Sequence, residues 1–321
     1  MTTALGLLVA TLVLAAAPAH AKERTAAHVR VLKLLQPPAK LAGAASVARE
    51  ACDKDDAACC GILGFLTWQG MGVEKNVKDG LDLIGKGCFL GDAEACTNLG
   101  VAYQKAMDVP EDYAKAAALL KRACDIDSGK GCHSLAFLFD NGLGVAKDPV
   151  KAFALNNKGC TVGHVPDACY NLAVSYDRGT GVAKDPEKAI SLYETTCDGG
   201  YTVSCFNLGV MLMEGRGKSD PGRAMTLWTR ACEDGSGDSC NNLGSAFTNG
   251  KGVGKDPVKA LPLYEKSCRL DTALGCRNAG VAYETADGVV ANAAKARKLY
   301  ESGCKLGDPA SCAQARKLEQ H

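Results

Sequence analysis

Residues 232–268 read CEDGSGDSCNNLGSAFTNGKGVGKDPVKALPLYEKSC. Two cysteines eight apart bracket a polar stretch containing Gly235 and Ser236. Leu243, Gly244 and Phe247 then recur at helical spacing, and a Gly250-Lys251-Gly252 turn follows. Glycine there supplies the left-handed conformation that ends a helix. Asp256-Pro257 begins a second helix, because Asp caps free N–H groups and Pro suits the first helical position. Ala260, Leu263 and Tyr264 form its apolar ridge, and Cys268 closes the unit 36 residues after Cys232. The unit is therefore helix, turn, helix.

The whole chain keeps this clock. The first cysteines of the pairs are Cys52, Cys88, Cys124, Cys160, Cys197, Cys232, Cys268 and Cys304, in steps of 36, 36, 36, 37, 35, 36 and 36. Their partners are Cys60, Cys96, Cys132, Cys169, Cys205, Cys240, Cys276 and Cys312. A fixed period of this length marks a repeat array, whose units bury enough apolar surface only by stacking. Counting from Gly61, the pattern predicts seven helix pairs, with one helix near residues 39–52 opening the stack and another near 313–319 closing it. The fold class is all-α, a superhelical solenoid of helix pairs. A small residue recurs at Gly100, Ala136, Ala173, Gly209, Gly244 and Gly280 to let helices approach, and the Tyr or Phe three residues later is expected to fill the adjacent space. Lys105-Ala106-Met107-Asp108 lacks the glycine turn.

The cysteine spacing demands a chain reversal. Eight helical residues rise about 12 Å, whereas a disulfide needs Cα atoms roughly 4.4–6.8 Å apart. Each pair, Cys52–Cys60, Cys88–Cys96, Cys124–Cys132, Cys160–Cys169, Cys197–Cys205, Cys232–Cys240, Cys268–Cys276 and Cys304–Cys312, thus ties the end of one unit to the start of the next. Closing such a loop contributes roughly 2.5 kcal/mol in the chain-entropy view. The rival reading is zinc, which favours cysteines two to four apart in converging fours; pairs one solenoid step apart do not converge, so no metal is expected. Cys59 is left over, as a buried spare or a free thiol, and its neighbour Cys60 leaves a Cys52–Cys59 pairing open.

The 321 residues carry a net charge of +1, which favours neither nucleic acid nor an anionic membrane. Seventeen cysteines point to an oxidising compartment. An apolar run from Ala4 to Ala17, then Pro18 and Ala19-His20-Ala21, reads as a signal peptide over residues 1–21, although no Lys or Arg precedes it. The expected organisation is an N-terminal capping segment at 22–52, the solenoid at 53–312, and a C-terminal cap and tail at 313–321. The location is periplasmic or secreted, and no membrane span remains after cleavage.

These units resemble the Sel-one-like repeat, a relative of the tetratricopeptide repeat, and the Cys-x7-Cys pairs resemble its secreted cysteine-rich Hcp-type subgroup. The resemblance implies a right-handed superhelix of antiparallel helix pairs that gathers proteins or binds peptides in a concave groove. It also implies a second possibility, a β-lactam-binding protein or weak β-lactamase. In the related tetratricopeptide superhelix the first helix of each pair lines the concave face. Here that face would present Phe65, Trp68, Gln104, His133, Phe137, Tyr170, Arg178, Phe206 and Arg277, beside Val101, Val210 and Met213. Trp68 and Tyr170 are the expected exposed aromatics. The recurrent Asn98, Asn171, Asn207, Asn242 and Asn278 either bond neighbouring backbone or offer amides to a bound main chain.

Catalysis finds little support. The Ser-x-x-Lys match is Ser302-Gly303-Cys304-Lys305, and neither the Ser-Asp-Asn nor the Lys-Thr-Gly element accompanies it. The histidines do not cluster, and the Gly-x-Gly runs follow helices rather than strands. No catalytic residue and no cofactor is assigned. The expected partner is a protein or peptide, with peptidoglycan fragments or β-lactams as the alternative class.

Overall fold

The computed structural model describes residues 25–36 and 40–319; the expected signal peptide lies outside them. Among the described residues there are seventeen α-helices and no strand. Two helices open the chain, α1 (Ala26–Leu35) and α2 (Leu41–Cys52). Seven pairs follow in sequence: α3 (Ala57–Gln69) and α4 (Val77–Phe89), α5 (Ala93–Gln104) and α6 (Tyr113–Asp125), α7 (Gly129–Asn141) and α8 (Pro149–Thr161), α9 (Pro166–Arg178) and α10 (Pro186–Asp198), α11 (Thr202–Glu214) and α12 (Pro221–Glu233), α13 (Gly237–Asn249) and α14 (Pro257–Arg269), α15 (Ala273–Thr285) and α16 (Ala293–Lys305). α17 (Pro309–Glu319) closes the chain. The opening segment thus holds one helix more than the repeat pattern predicted, and the closing helix starts four residues earlier, at Pro309. The helices fall into two compact units, Met1–Lys184 and Asp185–His321.

Local chemistry explains the helix boundaries. The first helices α3, α7, α9, α11 and α13 end at Gly70, Gly142, Gly179, Gly215 and Gly250, all with left-handed φ of 68–73°. α15 ends at Ala286 in the same conformation, φ 58°. The second helices are capped by carboxylates or amides: Asp148 Oδ1 accepts from Lys151 N–H at 3.0 Å, Asp256 from Lys259 at 3.1 Å, and Asn292 from Lys295 at 2.9 Å. The lysine that donates this N–H then folds its ammonium over the aromatic ring of the preceding first helix. Lys115 covers Tyr103, Lys151 covers Phe139, Lys259 covers Phe247 and Lys295 covers Tyr283, at 4.2–5.8 Å from the ring centroids.

That arrangement corrects one expectation. The space beside the recurrent small residue is filled from the second helix, not by the aromatic three residues on. A Cβ at Gly100 would stand 2.8 Å from Leu120 Cγ, at Gly209 2.4 Å from Trp228 Nε1, at Gly244 2.8 Å from Tyr264 Cε1, and at Gly280 2.7 Å from Tyr300 Cε1. In these four pairs the ridge residue of the second helix packs on the glycine, and in four pairs the Tyr or Phe sits under the capping lysine.

All eight disulfides form as paired in the sequence, with Cα atoms 4.4–4.8 Å apart. A second tie, not read from the sequence, runs alongside. Lys86 Nζ donates to Cys52 O at 2.8 Å, Arg122 Nε to Cys88 O at 3.1 Å, Lys158 Nζ to Cys124 O at 2.7 Å, and Arg230 Nη2 to Cys197 O at 3.5 Å. Carbonyls at helix C-termini lack intrahelical donors and carry the negative end of the dipole, so a cation from the next unit satisfies both needs. The signal was present: a basic residue stands two places before Cys88, Cys124, Cys160, Cys232 and Cys268.

The glycine contacts set a paired expectation. Gly244→Ala drives a methyl into the Tyr264 ring and should lower stability by about 1–3 kcal/mol. Gly222→Ala, on the exposed first turn of α12 with no neighbour closer than 3.8 Å, should raise it by about 0.5 kcal/mol. Thermal melts of the two variants check both signs.

Candidate functional site

The second unit contains a cavity of about 230 Å³ between the first helices α11 and α13. Val210, Met213 and Glu214 come from α11, and Asn242, Ser245, Ala246 and Asn249 from α13. Trp228 of α12 forms the floor, and Lys251 stands in the turn after α13. The volume is below the roughly 300–1,000 Å³ of a drug-sized site; it suits one large side chain.

Helix geometry produces this space. The position five residues after each second cysteine reads Phe65, Val101, Phe137, Val174, Val210, Ser245 and Val281. Serine at 245 removes apolar bulk that neighbouring units keep. Trp228 is held rigid below, with Nε1 donating to Phe206 O at 3.1 Å and the ring against Gly209. The walls mix apolar Val210, Met213 and Ala246 with the amides of Asn242 and Asn249. Asn249 Nδ2 already donates to Ser245 O at 2.8 Å, whereas Asn278 Nδ2 spends itself on Asn241 Oδ1 at 2.8 Å. The recurrent asparagines therefore differ from one another: Asn278 is structural, and Asn242 faces the cavity.

The residues picked from the sequence divide between the two units. Phe65, Trp68, Gln104, His133, Phe137, Tyr170 and Arg178 lie in the first, Phe206 and Arg277 in the second. Trp68 is not an exposed aromatic: it is 3% exposed, packs with Ile84, and donates from Nε1 to Asp108 Oδ2 at 2.8 Å. Asp108 occupies the place that is Gly72, Gly144 and Gly252 in other units and adopts their left-handed φ, at 55°. The missing glycine turn thus serves the Trp68 hydrogen bond. Phe65 meets Trp68 edge-on at 6.5 Å and is half-buried, as is Tyr170. His133 Nδ1 lies 3.2 Å from Asn156 Oδ1. Gln104 is half-buried, its Oε1 sealed from solvent without a donor. Phe206 lends its carbonyl to Trp228, and Arg277 pairs with Asp308 at 3.2 Å. Phe137 and Arg178 are exposed. Ser245 and Trp228 escaped the sequence reading; the break in the apolar column at 245 was the available signal.

Two further groups bear on chemistry. Ser302 Oγ donates to Lys298 O at 3.0 Å, so its hydroxyl is committed to its own helix, and Lys305 is exposed. Cys59 is free and buried. Burial first, and then the Asp56 and Asp92 carboxylates, push its thiol up to about 12. Burial also pushes Asp92 up to about 6, although it caps α5 by accepting from Glu94 and Ala95 N–H. Asp56 suffers burial too, but hydrogen bonds from Thr25 and from Cys59 N–H outweigh it and hold it below the usual carboxylate range. Among the described residues no three His, Cys, Asp or Glu side chains gather as a metal site. None of the described helices is long and apolar enough to cross a membrane.

Comparison with known proteins follows the same lines. The Sel1 repeat family model matches residues 93–128, 129–164, 166–201, 202–236, 237–271 and 273–308. A protective antigen of uropathogenic Escherichia coli strains, displaying an SLR fold, is 24% identical, with a TM-score of 0.77 over 89% of this chain. The chain spans 62% of that antigen's length. A Sel1 repeat protein from Oxalobacter formigenes is 22% identical, with a TM-score of 0.69 over 86% of this chain and 80% of its own. Helicobacter pylori cysteine rich protein B is 33% identical, covering 40% of this chain and 94% of its own, with a TM-score of 0.35. No curated protein matches the chain. The first two likenesses show the helix-pair solenoid fold.

The acidic surroundings of Cys59 set two expected outcomes. With its thiol at about 12, the native protein should resist maleimide or iodoacetamide at pH 8, and unfolding without reductant should release one reactive thiol; a fast native reaction contradicts the burial. Asp92, with a folded pKa of about 6, is raised above its unfolded value, so the folded state gains from protonation and stability falls as pH rises from about 4 to 6. Asp92→Asn keeps a capping side chain and should melt higher than the parent at pH 7.5, by up to about 3 kcal/mol. The difference should vanish near pH 4.

Proposed function

Because this chain belongs to the Sel1 repeat family, we propose that it is an exported, disulfide-hardened scaffold whose first helices hold an extended protein or peptide segment. Sel1 repeats suit protein partners, and eight disulfides suit an oxidising compartment. The leader-like sequence of residues 1–21 supports a place in the periplasm or outside the cell. The observation that carries the reading is the cavity over Trp228. It opens between two successive first helices, has an apolar floor, and is rimmed by amides and a hydroxyl. Such a site anchors one side chain while amides meet the flanking main chain.

Affinity in a groove of this kind concentrates in a few desolvated pockets. Ser245 lines the cavity at the break in the apolar column, so its enlargement fills the space. The test is selection of a phage-displayed random 12-residue peptide library on the purified full chain. Peptides enriched by the parent should be lost on Ser245→Phe, at least tenfold in affinity, with a cooperative melt showing that the variant remains folded. Enrichment that survives Ser245→Phe undiminished would place binding elsewhere and remove this reading.

A further inference from the structure

The turns that flank the cavity are unevenly charged. Residues 214–223 and 249–259 carry six basic side chains against Glu214, Asp220 and Asp256. Most of the cations are already engaged. Arg216 pairs with Glu214 at 2.9 Å, Arg223 with Glu194 at 2.6 Å, and Lys259 with its own cap Asp256 at 3.1 Å. Asp220 is occupied in capping α12, accepting from Arg223 N–H at 3.0 Å. No ion pair among the described residues holds Lys218, Lys251 or Lys255.

One of these three stands at the cavity, and a second follows it in the same turn. Lys251 lines it. Lys255 packs its Cβ beside Gly250, where a Cβ would lie 3.4 Å away. The turn itself is pressed against α12: a Cβ at Gly252 would meet Pro221 Cβ at 2.7 Å and Met213 Cε at 3.4 Å. The backbone that carries Lys251 is therefore packed against α12 at one end of the cavity, and its exposed side chain reaches out from there. The single carboxylate in the lining, Glu214, is neutralised by Arg216. An occupant meets an apolar floor and, at the α13 turn, uncompensated positive charge.

We propose that the segment held here carries one large aliphatic or aromatic side chain, seated over Trp228, and carboxylates beside it that pair with Lys251 and Lys255. This rests on the groove reading above and adds the chemistry of the partner. Exposed charges of this kind steer encounter and set orientation, and their effect fades with salt.

The same display selection separates the two claims. Sequences enriched by the parent and lost on Ser245→Phe should contain a large apolar residue flanked on one side by two or more Asp or Glu. The double variant Lys251→Glu, Lys255→Glu, on an exposed turn, should lose about tenfold in affinity for those sequences at low salt. A fresh selection on it should favour Lys or Arg at the flank. Enriched sequences that depend on Ser245 but carry neutral or basic flanks, or that bind the double variant equally well, overturn the acidic-flank proposal and leave the groove reading intact. Enrichment indifferent to Ser245→Phe overturns both.

Discussion

Between the two cysteines of every pair one residue adopts a left-handed backbone: Asp55, Gly91, Asp127, His164, Gly200, Gly235, Asp271 or Gly307, with φ from 48° to 99°. A right-handed helix cannot reverse within eight residues otherwise, and only reversal brings the Cα atoms within disulfide range. Gly takes this conformation freely, and Asp takes it at modest cost through local hydrogen bonding. The Asp positions are put to further use, since Asp55 and Asp127 also pair with Lys86 and Lys158 at 2.8 and 2.9 Å. Those lysines are the ones that cap the preceding helix carbonyls. Turn, disulfide and cationic cap thus converge at the step from one unit to the next. The glycine contacts govern packing within a unit.

The step was legible because its parts are periodic and chemically exclusive. Cysteine pairs eight apart, Gly-x-Gly turns and Asp-Pro starts allow few other structures, so the helices and the disulfides could be placed in advance. The opening helix α1 has no counterpart in the repeat and escaped for that reason. The packing partner of the recurrent glycine was misassigned for a different reason. Both Tyr103 and Leu120, or Phe247 and Tyr264, lie at plausible spacing, and sequence alone does not say which ring a helix crossing delivers. The structure decides it: the second-helix side chain packs on the glycine, and the first-helix aromatic lies against the capping lysine.

The candidate site was less legible, and Trp68 shows why. Its position suggests an aromatic surface for ligands, but its indole N–H has a carboxylate partner 40 residues on, in the one turn within a helix pair that lacks glycine. Such compensation links two departures from the repeat, and each departure looks unremarkable alone. Phe137 and Arg178, by contrast, are exposed.

Departure from the period is also what makes the cavity. A repeat that obeys its consensus everywhere presents a uniform ridge, and a uniform ridge selects nothing. At Ser245 the ridge loses a branched side chain, and at Trp228 the floor gains the largest one. The first change removes volume, and the second lines what remains with a rigid apolar surface. Lys251 lines the cavity from the turn after α13, where Gly252 rests close to Pro221. The backbone that carries Lys251 is thus positioned by a glycine contact that belongs to the fold. The stack and the cavity come from the same 36-residue unit, the first from what each copy repeats and the second from what one copy changes.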